Sequence, residues 1–327
     1  MENANLKKAK MKNMISQTTV KKKKYGLLVD IKKNPASYLL ALPALVYVIV
    51  FSYMTYPYMI IAFQKFNFRT GIFGSEFVGF QNFEFFFKSS DALRVISNTL
   101  FLNILSIFFG TLAALTLALL LNELRSKWYL RVSQSMMLLP HYLSWVIVSY
   151  VLYSLFSTDY GVFDQILRAL GKQPINWYSE AGTWPAILTL MRVWKSMGMN
   201  AVIYLAAITG IDASQYEAAA IDGANRWQQC KYITIPLIMP TVIILTLLSI
   251  GKIMYGDFGM IYALVGDNGV LYPTTDIIDT YIYRVFRLTG NPSQAMAVGL
   301  FQSVIGFFMV FGSNRLAKKF FPEGAIY

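Results

Sequence analysis

The sequence holds one cysteine, Cys230, and one histidine, His141, among 327 residues. The first has no partner for an intrachain disulfide, and the second no companions for a histidine-rich metal cluster. With so few of either, a Ser-His-Asp or Cys-His catalytic set has little support. His141 follows Pro140 and reads as a helix-end or interfacial group. Charge is scarce as well: Asp, Glu, Lys and Arg make up 14% of the chain, against roughly 25% in ordinary soluble domains. A soluble surface of this size needs more than that, which argues against an ordinary soluble enzyme. A phosphate-cradling P-loop is missing too. The pairs Gly171-Lys172 and Gly251-Lys252 run on into Gln173 and Ile253 where Ser or Thr is required, and no glycine stands five residues before either Gly.

What is present is apolar: 56% of residues are hydrophobic and 16% aromatic. That composition excludes a disordered, collagen-like or disulfide-scaffold chain and points to a polytopic, all-α membrane protein. The net charge of +12 is unevenly placed, with ten of the 29 positive charges before residue 34, including Lys21, Lys22, Lys23 and Lys24. A basic run directly before a long apolar stretch fits anionic lipid and membrane topology better than nucleic acid. The apolar stretch is also too long for a signal peptide and reads as a retained span.

A span needs about 20 mostly apolar residues. Six stretches qualify, 39–61, 95–121, 136–156, 185–209, 237–255 and 295–313, and each is expected to be a helix because lipid cannot satisfy an open backbone. The fourth is interrupted by Arg192 and Lys195, and the fifth ends near Lys252. With the N-terminus placed inside, the inner segments carry 18 Lys and Arg and the outer segments eight, which favours both termini in the cytoplasm. The expected organisation is a basic cytoplasmic segment 1–38, a six-span domain 39–315 and a short cytoplasmic tail 316–327. Phe83, Phe85, Phe86 and Phe87 cluster in the outer segment after the first span, as an interfacial belt or as a surface for an external protein.

The inner segment 211–236 carries the most information. Ser214 and Glu217 have capping-box spacing, so a helix is expected to start at Ser214. Ala218, Ala219 and Ala220 propagate it, and Gly223 can take the left-handed conformation that stops it. Asn225 with Gln228 offers a second capping pair, and the short helix that follows leads to Pro236 at the entrance of the fifth span. On these residues alone the segment is equally an ordinary linker helix in which Glu217 serves only its cap.

The pattern Glu-Ala-Ala, three residues, Gly, nine residues, Ile, one residue, a branched aliphatic and Pro falls on Glu217, Ala218, Ala219, Gly223, Ile233, Ile235 and Pro236. It resembles the EAA loop of permease subunits in binding-protein-dependent ABC importers. Ile235 stands where that family more often has Leu. The stretch from Phe77 to Phe83, Asn98-Thr99-Leu100 and the run from Ala118 to Asn122 also resemble sugar-type, maltose-type permeases, and in particular the LplB-like polysaccharide-permease subgroup. The resemblance covers roughly residues 34–327.

The resemblance implies a six-helix type I ABC importer transmembrane domain in the bacterial cell membrane, importing oligo- or polysaccharides. It implies no catalysis and no cofactor in this chain, with ATP and magnesium held by two separate ATPase subunits. It implies a second permease subunit, a paralogue making a heterodimer, and an extracytoplasmic solute-binding protein. Glu217, Ala218, Ala219, Asp222, Gly223 and Arg226 would contact the ATPase. The substrate would pass between the fourth, fifth and sixth spans, where Trp194, Lys195, Ser196, Met199, Ser249, Lys252 and Tyr255 are the candidate lining residues. A charge near a span centre costs about 2.5–3.5 kcal/mol on insertion scales. Two lysines on neighbouring spans therefore point to an acidic, uronate-bearing saccharide, with snorkelling to headgroups or pairing with Asp257 as the competing explanation. The alternative function is a stand-alone secondary transporter, which would need internal repeats and broken helices and would leave the EAA pattern unexplained.

Overall fold

The computed structural model describes residues 27–158 and 160–320. The lysine run at 21–24, most of the expected basic segment and the end of the expected tail lie outside the described residues. The chain divides into two units, Met1–Tyr58 and Met59–Tyr327.

In the first unit, α1 (Leu27–Lys33) is tied to the next helix by Asp30, whose carboxylate accepts from the Asn34 amide at 3.0 Å and the Tyr38 hydroxyl at 2.7 Å. Helix α2 (Pro35–Val48) begins with Pro35, whose missing N–H costs nothing in a first turn. Helical structure continues through a wider π turn, Ile49–Tyr53, within a mostly apolar 29-residue stretch, Pro35–Phe63, with none of its hydrophobic window buried inside the chain. A helix this apolar is long enough to cross a bilayer.

The second unit opens with a two-residue hairpin, β1 (Gln64–Lys65) antiparallel to β2 (Glu76–Phe77), and then α3 (Gln81–Lys88). The hairpin is pinned from below by Asn82, whose amide donates to the carbonyls of Ala62 and Gln64. The long helices follow: α4 (Ser90–Asn122), α5 (Lys127–Tyr142), α6 (Trp145–Phe156) and α7 (Trp184–Thr209). After them come α8 (Ala213–Ile221), α9 (Arg226–Gln229), α10 (Ile235–Ile250), α11 (Phe258–Leu264), α12 (Ile278–Thr289) and α13 (Pro292–Phe320).

Helices α4 and α7 form the centre of the bundle. Lipid gives helices little hydrophobic reason to associate, so small residues that let backbones approach do much of the work. Ala114, Ala118 and Ala201 are fully buried among Leu121, Leu205, Ile208 and Ile238, which closes the end next to α8. Gly198 is the closest approach: a Cβ there would lie 2.0 Å from the Met137 carbonyl oxygen of α5. At the opposite end the loop between α10 and α12 is locked by Asp276. Its buried carboxylate pairs with Arg284 at 2.6 Å and Arg94 at 3.2 Å, while the Arg284 guanidinium lies 4.3 Å from the Tyr272 ring centre. A buried carboxylate is tolerated only with such partners.

Two of the expected spans differ from the sequence reading. The third is not one helix: α5 and α6 meet at 95° across Leu143 and Ser144. Pro140 lacks an N–H in the last turn of α5, and Ser144 starts α6 anew by accepting from the Ile147 N–H at 3.3 Å. The fifth begins earlier than expected. The short helix α9, a π turn Cys230–Thr234 and α10 run on as one 25-residue helix, Arg226–Ile250, and Tyr255 lies beyond its end.

Candidate functional site

Two regions carry the chemistry, at opposite ends of the Arg226–Ile250 helix. The first is the segment α8–α9. After α7 the chain bends by 68° into α8. The cap of α8 is Asp212, two residues before the expected Ser214. Its carboxylate accepts from the Ser214 N–H at 3.0 Å, and that backbone donor holds it below the usual carboxylate range. Asp serves as well as Ser in this position, so the first competent residue takes the cap. Gly223 adopts φ +83°, which a side chain would strain, and the chain turns there. Asn225 and Gln228 exchange both hydrogen bonds of a capping box, at 2.8 and 2.9 Å, as their spacing predicts.

The exposed side of this segment bears Glu217, Ala218, Asp222 and Arg226, with Ala219 half-buried behind them. The side chains of Glu217, Asp222 and Arg226 have no ion pair or hydrogen bond to any described residue. Ile221 is 87% and Trp227 73% exposed. Large apolar side chains beside unpaired charges on a rigid turn form a surface suited to a protein partner.

The second region is a pocket of about 270 Å³ near the other end of α10. Ser249 and Lys252 line it together with Thr111 of α4, Asn200 and Tyr204 of α7, Leu245 and Leu248. Neither the Lys252 ammonium nor the Asn200 amide has a partner among the described residues. An apolar wall with a few convergent polar groups is the usual form of a ligand site.

The other candidate lining residues lie elsewhere. Lys195 is directed at the α5–α6 break, where its ammonium donates to the carbonyls of Pro140, His141 and Leu143 and sits 5.1 Å from the Trp145 ring. Trp194 packs into the apolar cluster of Trp184, Leu188 and Met260. The Ser196 hydroxyl returns to the Arg192 carbonyl at 2.8 Å, and Met199 is partly exposed. Tyr255 turns to α13, where its hydroxyl donates to Ser303 at 3.1 Å. Asp257 accepts from the Trp145 indole at 3.0 Å rather than from a lysine.

Three lining residues, Thr111, Asn200 and Tyr204, were not singled out from the sequence. An amide such as Asn200 within an apolar run was the available signal. Arg192 was noted only as an interruption. It donates to the Asn103 side-chain oxygen at 2.6 Å, and Asn103 in turn donates to the carbonyls of Ile253 and Tyr255 that follow α10. The turn bearing Lys252 is thereby fixed to the bundle.

The family described as binding-protein-dependent transport system inner membrane component matches residues 91–321. Protein LplB of Bacillus subtilis (strain 168) is 37% identical over 297 residues, covering 91% of this chain and 93% of that protein. The polygalacturonan/rhamnogalacturonan transport system permease protein YteP of the same organism is 34% identical, covering 93% and 94%. Among solved structures, a bacterial ABC transporter involved in the import of the acidic polysaccharide alginate superposes with a TM-score of 0.82 at 32% identity, covering 90% of this chain and 99% of that one. The alginate ABC transporter in complex with an alginate pentasaccharide-bound periplasmic protein gives a TM-score of 0.81, also at 32% identity, covering 90% and 97%.

Proposed function

The chain belongs to the binding-protein-dependent transport system inner membrane components, and from that membership we propose that it is the permease subunit of an importer for acidic oligo- or polysaccharides. It forms half of a translocation path with a second, paralogous permease. Two ATPase subunits hold the ATP and magnesium and engage Glu217, Ala218, Ala219, Asp222, Gly223 and Arg226. An extracytoplasmic binding protein delivers the saccharide. Both termini face the cytoplasm, so α8 and α9 lie on the ATPase side.

The observation that carries the acidic reading is Lys252. It is the one cation lining the 270 Å³ pocket, and no described residue neutralises it. A lysine within or beside a membrane span usually faces a partner or a cavity, and a uronate carboxylate would pair with this one while Ser249, Asn200 and Tyr204 meet sugar hydroxyls. Similarity to permeases named for polygalacturonan and alginate supports the same class. Lys195 takes no part in this reading, because its three carbonyl partners already satisfy its donors. Those contacts also weigh against a secondary carrier, since at the 95° break between α5 and α6 the carbonyls are met by a lysine and not open to a cation.

The test is ATPase stimulation of the purified full complex by a uronate oligosaccharide and a neutral one of equal length, each presented with the binding protein. Stimulation by the uronate, with Lys252→Met raising its half-saturating concentration about tenfold, supports the assignment. Equal responses to both sugars in wild type and variant discard the acidic specificity.

A further inference from the structure

The EAA pattern ends in Pro236, and the structure reveals what that proline requires. Its ring clashes with the carbonyl four residues back, Tyr232, in a regular α-helix. The chain avoids the clash by widening into the π turn Cys230–Thr234 directly before α10. Such a wide turn is a weak point in an otherwise continuous helix. Thr234 is the residue inside it that is 3% exposed, and its hydroxyl lies 2.9 Å from the Tyr216 hydroxyl of α8. Tyr216 faces inward, one residue before the exposed Glu217. Nearby, buried Gln229 closes the turn between the two helices by donating to the Ala224 carbonyl at 3.2 Å.

We propose that the Tyr216–Thr234 hydrogen bond is the pin that transmits movement of the α8 surface into α10, and so to Lys252 at its far end. The inference rests on the importer reading. Without the pin, α8 is joined to α10 through the Gly223 turn and a π turn, both of which can absorb a displacement locally. With it, the inward face of α8 is fastened at the base of the helix that carries Ser249 to the pocket. Tyr216 and Thr234 are positioning residues: neither lies on the exposed surface that meets a partner nor in the pocket.

The experiment uses the complete complex reconstituted with its binding protein and a saccharide that stimulates wild type. Tyr216→Phe and Thr234→Val each remove one hydroxyl and are predicted to lower the ratio of substrate-stimulated to basal ATPase about three- to tenfold, with basal turnover and complex recovery unchanged. Both remove the same bond, and Thr234→Val also removes the Thr234 hydroxyl's 3.5 Å contact with the Gln229 carbonyl, so the double variant is predicted to be no worse than Thr234→Val alone. Thr234→Ser, which keeps a hydroxyl, restores the ratio. Wild-type coupling in Tyr216→Phe, or losses that add in the double variant, overturn the pin while leaving the importer standing. Transport by wild type that needs no ATPase would overturn both.

Discussion

Glu217 is exposed and unpaired while its neighbour Tyr216 is turned inward, so single side chains on α8 have separable effects. Glu217→Lys replaces an acceptor by a donor on the surface assigned to the ATPase. It is expected to lower substrate-stimulated ATPase at least about tenfold while the chain still assembles in the membrane, as read by ATPase assay and complex recovery. Gly198 has a purely steric role. A methyl group at that position meets the Met137 carbonyl at 2.0 Å, so Gly198→Ala must push α5 from α7. A destabilisation of about 1–3 kcal/mol follows, checked as a lowered thermal midpoint in detergent. Asp212 gives a pH signature. Its carboxyl is lowered by the Ser214 N–H, so its contribution to α8 is complete above the ordinary carboxylate pKa of about 3.9 and is lost as pH falls through the lower folded value. Amide protection at Ser214, corrected for intrinsic exchange, is expected to be flat from neutral pH to about 5 and to fall below about 4. Asp212→Asn, which still accepts the bond, should remove the pH dependence and keep the protection.

At the scale of elements, the α5–α6 break depends on Lys195. Its ammonium serves the carbonyls of Pro140, His141 and Leu143, of which Pro140 also accepts from the Leu143 N–H at 3.3 Å. Lys195→Met takes this donor from the His141 and Leu143 carbonyls and is expected to cost about 1–3 kcal/mol, seen as a lower thermal midpoint. Its effect on transport should then be the same for acidic and neutral sugars, unlike that of Lys252→Met. The break also marks where sequence reading stops. Asn225 with Gln228 and Gly223 were legible because each acts on backbone within a few residues. The long apolar runs of α4 and α13 were legible because length and composition alone define a span, whereas α7 is interrupted by Arg192 and Lys195. The 95° bend was not: Pro140 and Ser144 are the local signals for a break, but both also occur within continuous spans, and Lys195, which caps the freed carbonyls, is more than fifty positions away in sequence. The pocket was half legible for the same reason. Ser249 and Lys252 are three residues apart, at the end of α10 and in the turn after it, whereas Thr111, Asn200 and Tyr204 join them only when the helices pack.

At the scale of the whole molecule, one helix, Arg226–Ile250, joins an exposed surface with unpaired charges to a pocket beside an unpaired lysine. On the proposed reading, that arrangement gives an external energy source a mechanical route to a cargo site. Membership of the importer family accounts for both ends together. The measurement that tests this most directly is uptake of a labelled uronate oligosaccharide into liposomes, comparing the full complex with this chain alone, with and without ATP inside a suitable compartment for the ATPases. The account predicts uptake by the complex only, dependent on ATP and on the binding protein, and abolished by Glu217→Lys. Uptake by the chain alone, indifferent to ATP and to Glu217, would contradict it.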